Sequence, residues 1–515
     1  MAELSFPDPQ DPLEGRRFIL ELDRRLEHWD RAILVADWDL FTGKNSAGSE
    51  RLQLERSRFL SDDKLLGWIR KASQRRWPPL IRRRLQLLDR IVVDAQVEQS
   101  VAIVKARSKL QRRIVAFRPR WNGKRVERFV LHRVLREDPD AQNRKRAYYG
   151  LESLYRPLEE PLRQLIRLRN ERARDLGYAN FAALRLSFEG FAPDKIEELA
   201  RAGLPLARTR IALLRARPVA GLEGGGWHPW DLDLARFGST RLPEASFPQR
   251  SMLATILRAV KKWGFPVERM RFRAVFHDLP SGGLTLAPDP PNDVRILVHR
   301  RGGWNAYDVM FHEVGHAVHS ASIRAPRHLL RWHENIPGFG GLHEGIAGLF
   351  EEIARDEAWL STQPRIDPSA ARSFAQSWRD WDAQSIAYLA SWILVELDLY
   401  RNPERDPTSA AHRLARRVFG YDEFSPLSFA DSFYIDSPVY AANYLLATYF
   451  HYQLARDLRE RFGEPLWPNP RVGPYLMREW FAPGSIYDWV PRVRKLTGRP
   501  FGAKDFLASF EKGPD

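Results

Sequence analysis

The sequence predicts a mainly α fold with one small β-sheet, and three observations carry this. Apolar residues recur at helical spacing through the first two hundred residues and again from about Asn305 to Leu507. Alternating, strand-like patterning is confined to Met270–His299. No run of about eighteen apolar residues occurs, so no membrane span is expected.

Taken in order, Pro7, Pro9 and Pro12 mark a loose start. Helical periodicity continues over Phe18–Asp37, Leu54–Ile69, Leu80–Val104, Phe129–Leu135 and Asp140–Leu176. Residues 218–249 hold GLEGGGWHPWDLD and several prolines, which reads as a connecting segment. The chain thus divides into an N-terminal helical part (1–217), this connection and a C-terminal part (250–515) that carries the chemistry. In the C-terminal part, Phe272–Phe276, Leu284–Leu286 and Val294–Val298 read as strands, with Ser281-Gly282-Gly283 as a break. The rest is helical, and Ala387–Val395 suits a buried helix.

Composition narrows the function classes. There is no cysteine, which excludes a disulfide scaffold, a thiolate metal site and thiol catalysis. The amino terminus lacks a basic region followed by an apolar run, so a soluble cytoplasmic protein is expected. The net charge is +16, but the arginines are interleaved with Asp and Glu over many helices. A solvated basic surface or a preference for acidic peptides is expected, and a nucleic-acid partner is not.

Seven of the thirteen histidines lie between His299 and His343. Among them is FHEVGHAVHS, with His312, Glu313 and His316. Histidines at i and i+4 lie one turn apart on one helix face and can converge on one ion. Glu313, about 100° round the helix, can reach a water on that ion as general base. Asn305 is the expected cap of this helix and Asp308 falls in its first turn. Gly315 and Ala317 would let another segment approach closely. A bare HExxH also arises by chance, so the third ligand matters.

A hydrolytic zinc site takes three protein ligands and keeps one open position. Two carboxylates compete for the third place. Glu334 lies beside Pro and Gly in WHENIPGFGG, whereas Glu344 opens a helix in GLHEGIAGLFEEI and is preferred. Glu351, seven residues on, shares its face and is expected to hold a ligand histidine. His319, His333 and His343 are expected to be structural.

HEVGHAVHS followed by a glutamate on a second helix resembles the thimet oligopeptidase and oligoendopeptidase F families. It also resembles the related angiotensin-converting enzyme family. Leu165–Leu184, His228–Gly238 and SGGLTLAPDPPNDVRILVH are similar to segments of the same families, so the resemblance covers most of the chain. It implies two helical lobes flanking a deep central cleft in a single catalytic unit, with the small sheet next to the zinc helix. It implies a zinc-dependent metallopeptidase acting on short peptides, whose backbone the edge strand at Gly282, Gly283 and Leu284 aligns. Laid along the converting-enzyme pattern, Tyr444 falls on the tyrosine that stabilises the transition state. Tyr434 stands where those families have a histidine. Tyr440, one turn before Tyr444, is a further candidate. Ser432 and Ala441 stand where converting enzyme grips the substrate carboxylate, so dipeptidyl specificity does not carry over. Two rivals remain: a zinc amidohydrolase acting on a peptide-like metabolite, and a non-catalytic peptide-binding protein, which would not need Glu313.

Overall fold

The computed structural model describes residues 6–44, 48–216, 228–238, 242–279, 282–326, 328–331, 336–419 and 434–511. The fold is mainly α, as predicted. Asp11 opens the first helix, Pro12–Phe41, by accepting the Leu13 and Glu14 N–H groups.

The N-terminal helices break at three places that apolar spacing does not reveal. The Leu54–Ile69 pattern is two helices, Ser49–Leu60 and Asp63–Ser73, because the Asp62 carboxylate takes the Lys64 N–H and starts a new one. Leu80–Val104 divides into Pro79–Glu98 and Val101–Ala116 at Ser100, whose hydroxyl takes the Ile103 N–H. A turn at Arg156–Leu158, with Pro157 inside it, separates Ala141–Glu152 from Glu159–Asp175. Buried apolar residues continue on both sides of each break, so the periodicity runs on while a new N-cap or the Pro157 turn interrupts the helix.

Buried apolar side chains from Phe18 to Phe510 form one continuous cluster that draws on both parts of the chain. A smaller cluster gathers Leu131, Leu135, Ala147, Leu151 and Trp230. Trp230 and Asp231 belong to the expected connecting segment. Asp231 pairs with the fully buried Arg144 at 2.7 Å, so the described portion of that segment is packed and charge-anchored.

The expected strands form one three-stranded sheet. Asp293–His299 is central, parallel to Phe272–His277 and antiparallel to Gly283–Asp289. The Gly283–Asp289 strand is therefore an edge, as the resemblance implies. The HExxH helix spans Trp304–Ala321. Its start differs from expectation: Gly303, at φ 93°, precedes it, and Asn305 lies inside the first turn with no capping bond. The left-handed backbone at Gly303 turns the chain without a side-chain acceptor. A Cβ on Gly315 would stand 3.0 Å from the Ala347 Cα, so the glycine brings this helix against the next one, Gly340–Arg355. No described helix is long and apolar enough to cross a membrane.

Candidate metal centre

The Trp304–Ala321 helix puts His312 and His316 on one face, and the Gly340–Arg355 helix brings Glu344 against them. Donor atoms of the three lie within 4.8 Å of one another. His312 Nε2 is 2.9 Å from His316 Nε2 and 3.4 Å from Glu344 Oε2; His316 Nε2 is 4.0 Å from the same oxygen. Tetrahedral zinc with ligand bonds of about 2.0–2.1 Å wants donors roughly 3.3 Å apart. The three spacings bracket that value, so the donor set fits zinc in kind and in placement. Glu334 and His333 lie outside the described residues.

The surroundings prepare each donor. Burial and the neighbouring His312 drive His316 down to about 3, so it stays neutral with a lone pair free for an ion. Burial works against the charge on Glu344, but a hydrogen bond to His312 and the neighbouring imidazoles overcome it and hold the carboxyl at about 2. His312 behaves oppositely to His316: burial lowers it, yet bonds to Glu344 and Glu351 raise it well above its ordinary value. Its Nδ1–H meets Glu351 Oε1 at 2.6 Å, which fixes the ring and aims Nε2 at the cluster, as the sequence predicts for Glu351. Tyr440 donates its hydroxyl to Glu344 Oε1 at 2.7 Å, so it acts on the carboxylate of the cluster.

Behind Glu351 lies a cation that sequence reasoning missed. Arg355 donates to Glu351 Oε2 at 2.5 Å and to both oxygens of Asp308 at 3.2 Å. It ties the Trp304–Ala321 helix to the Gly340–Arg355 helix. Its signal was present: it lies four residues after Glu351, one turn along the same face.

Glu313 is 6% exposed and lies beside the cluster. Burial raises its pKa, with His312 and Thr285 opposing. The Thr285 hydroxyl donates to Glu313 Oε2 at 2.6 Å from the edge strand. Gly283, two residues before Thr285 and so on the same strand face, approaches Glu313 so closely that a Cβ there would lie 2.6 Å from its Cγ. Thr285 is thus a second residue that sequence reasoning passed over, although strand alternation from Gly283 points to it.

These groups open into a cavity of about 390 Å³, within the range of ligand pockets. Gly283, Leu284, Tyr440 and Tyr444 line it, together with Phe188 and Glu189 from the N-terminal part. Gly282, at φ 69°, precedes the lining stretch, and its carbonyl accepts the His299 N–H at 3.2 Å. Glu189 accepts the Gly340 N–H at 2.8 Å and the Trp489 indole N–H at 2.9 Å, so it caps the helix that bears Glu344. The Tyr440 and Tyr444 rings meet edge to face at 5.4 Å. Burial, then the charge of Glu344, raises the Tyr444 pKa, which keeps its hydroxyl a donor.

Tyr434 departs from expectation. It is 1% exposed, does not line the cavity, and donates its hydroxyl to the Trp392 carbonyl at 2.9 Å. The Pro368–Arg401 helix absorbs it into the core, so it offers no bond to a substrate in place of the family histidine. His319 and His343 are buried; the His343 ring lies 3.7 Å from that of His316, tilted by 34°, and lines the cavity, while His319 lies 4.9 Å from Phe481. Ser432 lies outside the described residues.

No family model matches the chain, and no curated protein matches it. Among solved structures, a carboxypeptidase of Pyrococcus furiosus, described as an apo-Mg form, has the same fold. The TM-score is 0.66 at 16% identity, over 97% of this chain and 98% of that one. At this identity the likeness is one of fold, and it runs through both parts of the chain. The finer resemblance to oligopeptidases and converting enzyme rests on the motifs alone.

Proposed function

We propose that the protein is a zinc-dependent metallopeptidase acting on short peptides. The observation that carries this is the convergence of His312, His316 and Glu344 beside the buried Glu313, all facing one cavity. The bound zinc would polarise the scissile carbonyl and acidify a water. The protein's own groups do the rest. Glu351 and Tyr440 orient the ligand side chains. Glu313, steadied by Thr285, takes the proton of the attacking water and passes it to the leaving amine. Tyr444 donates a hydrogen bond to the carbonyl oxygen as it gains charge. The edge strand turns the backbone groups of Gly283 away from its sheet neighbour, where a peptide can be laid along it. The likeness to a carboxypeptidase over nearly the whole chain favours removal of C-terminal residues over internal or dipeptidyl cleavage.

The test is a set of free and C-terminally amidated peptides of graded length, incubated with the zinc-loaded protein and read by mass spectrometry. Stepwise loss of single C-terminal residues, blocked by amidation, is expected. Internal cuts, or removal of dipeptides, would overturn the carboxypeptidase assignment. No cleavage of any peptide would overturn the peptidase reading itself.

A further inference from the structure

We propose that Glu396 is a positioning residue: it clamps a strained turn at Val439 and so delivers Tyr440 and Tyr444 to the metal cluster. This rests on the metallopeptidase reading above.

Val439 sits at φ 64°, in the left-handed region. That conformation crowds the β-branched side chain against its own backbone and is a genuine outlier. Such a residue persists only where its surroundings hold it. Here the holding group is visible. The Val439 N–H donates to Glu396 Oε1 at 2.8 Å, and Glu396, on the Pro368–Arg401 helix, is 2% exposed. Burial pushes its carboxyl up to about 8, against the opposing Val439 N–H and Arg169, so near neutral pH it is largely protonated.

The other end of the segment is held too. Arg169, 0% exposed and paired with Glu98 at 2.7 Å, donates to the Tyr434 carbonyl at 2.7 Å and the Ile435 carbonyl at 2.8 Å. The stretch from Tyr434 to Val439 is therefore fixed at both ends by buried side chains from two different helices. Burying such groups is costly unless their bonds are made, and here those bonds go to backbone.

The turn sets the entry of the helix that carries both tyrosines. The Val439 carbonyl accepts the Ala442 N–H at 3.2 Å and so opens the Ala441–Phe462 helix. Tyr440 comes next and reaches Glu344, and Tyr444 lies one turn on. If Val439 relaxed to negative φ, the helix entry would rotate and Tyr440 would swing off the ligand carboxylate.

The test uses the full-length protein with four changes: Glu396→Gln, Glu396→Met, Glu396→Asp, and Glu396→Met combined with Val439→Gly. Turnover and KM are measured on a short peptide the wild type cleaves. Zinc affinity is measured by chelator competition, and melting temperature alongside. Gln keeps the acceptor and mimics the neutral acid, so it should match the wild type. Met keeps the length but offers no acceptor; it should weaken zinc binding by up to about 10–30-fold, the loss expected when Tyr440 no longer supports Glu344, and lower turnover with it. Glycine is at ease with positive φ, so Val439→Gly should restore most of both in the Met background. Should Glu396→Met not fold, Glu396→Asp, one methylene too short, carries the same expectation. A folded Met variant with wild-type zinc affinity and turnover, or one that loses only melting temperature, would overturn the clamp. So would failure of the glycine change to restore function. If the wild type cleaves no peptide, the peptidase reading falls, but the zinc affinities still decide the clamp.

Discussion

Tyr440→Phe removes one hydroxyl from the ligand shell and leaves the aromatic ring against Tyr444. The lost bond is short, 2.7 Å, and its acceptor is a carboxylate held ionised well below its usual range. Hydrogen bonds to charged groups contribute about 1.5–3 kcal/mol. Tyr440 is only half-buried, so the lower part of that range applies. About 1.5–2 kcal/mol corresponds to roughly 10–30-fold in zinc dissociation constant, at 1.36 kcal/mol per tenfold. The freed Glu344 Oε1 can turn to water, which keeps the loss from growing further. Titration of the apo protein with zinc against a chelator at neutral pH measures the constant directly. Turnover at saturating zinc should fall far less than affinity, because Tyr440 acts on the ligand and not on the reacting carbonyl. A dissociation constant within about twofold of wild type would refute the support of Glu344 by this hydroxyl.

Three other outcomes are expected. Glu313→Gln should keep stoichiometric zinc and lose turnover by several orders of magnitude; a zinc-loaded Gln variant with substantial turnover would remove Glu313 as base. Tyr444→Phe should lower turnover about a hundred- to a thousand-fold with little change in KM, whereas Tyr434→Phe should cost roughly 1 kcal/mol of stability and leave turnover unchanged; reversed effects would restore Tyr434 to the mechanism. Burial drives His319 down to about 3 from an ordinary 6.5, so below pH 6.5 the unfolded chain binds a proton that the folded one refuses. Stability of the apo protein should therefore fall as pH drops below about 6.5, at a slope approaching about 1.4 kcal/mol per pH unit for each such group by about pH 5. His319→Asn should flatten that slope, and a slope equal to wild type would contradict the buried neutral state.

The ligand pair was legible because it is local. His312 and His316 share a face by the pitch of one helix, and no tertiary contact can separate them. Glu351 was legible for the same reason once Glu344 was chosen, since seven residues are nearly two full turns. The three strands were likewise plain from alternation. The choice of Glu344 needed a second helix to arrive at the right height, and only packing decides that: Gly315 lets the Ala347 backbone come close enough to bring Glu344 onto the histidines.

Tyr434 and Tyr440 show where sequence stops. Six residues apart in one aromatic-rich stretch, both were candidates for the same work. The structure gives one to the Glu344 carboxylate and the other to the Trp392 carbonyl. The difference lies in the turn at Val439, which depends on Glu396, 43 residues upstream, and on Arg169, 265 residues before Tyr434. Thr285 and Glu189 likewise gain their roles from partners far along the chain. Local chain geometry was enough for the mainly helical fold, the histidine pair and the glutamate between them, because each is set within a turn or two of backbone. The tertiary structure decided which carboxylate completes the cluster, which tyrosine faces the cavity and what steadies Glu313, because those depend on distances between elements that no local spacing encodes.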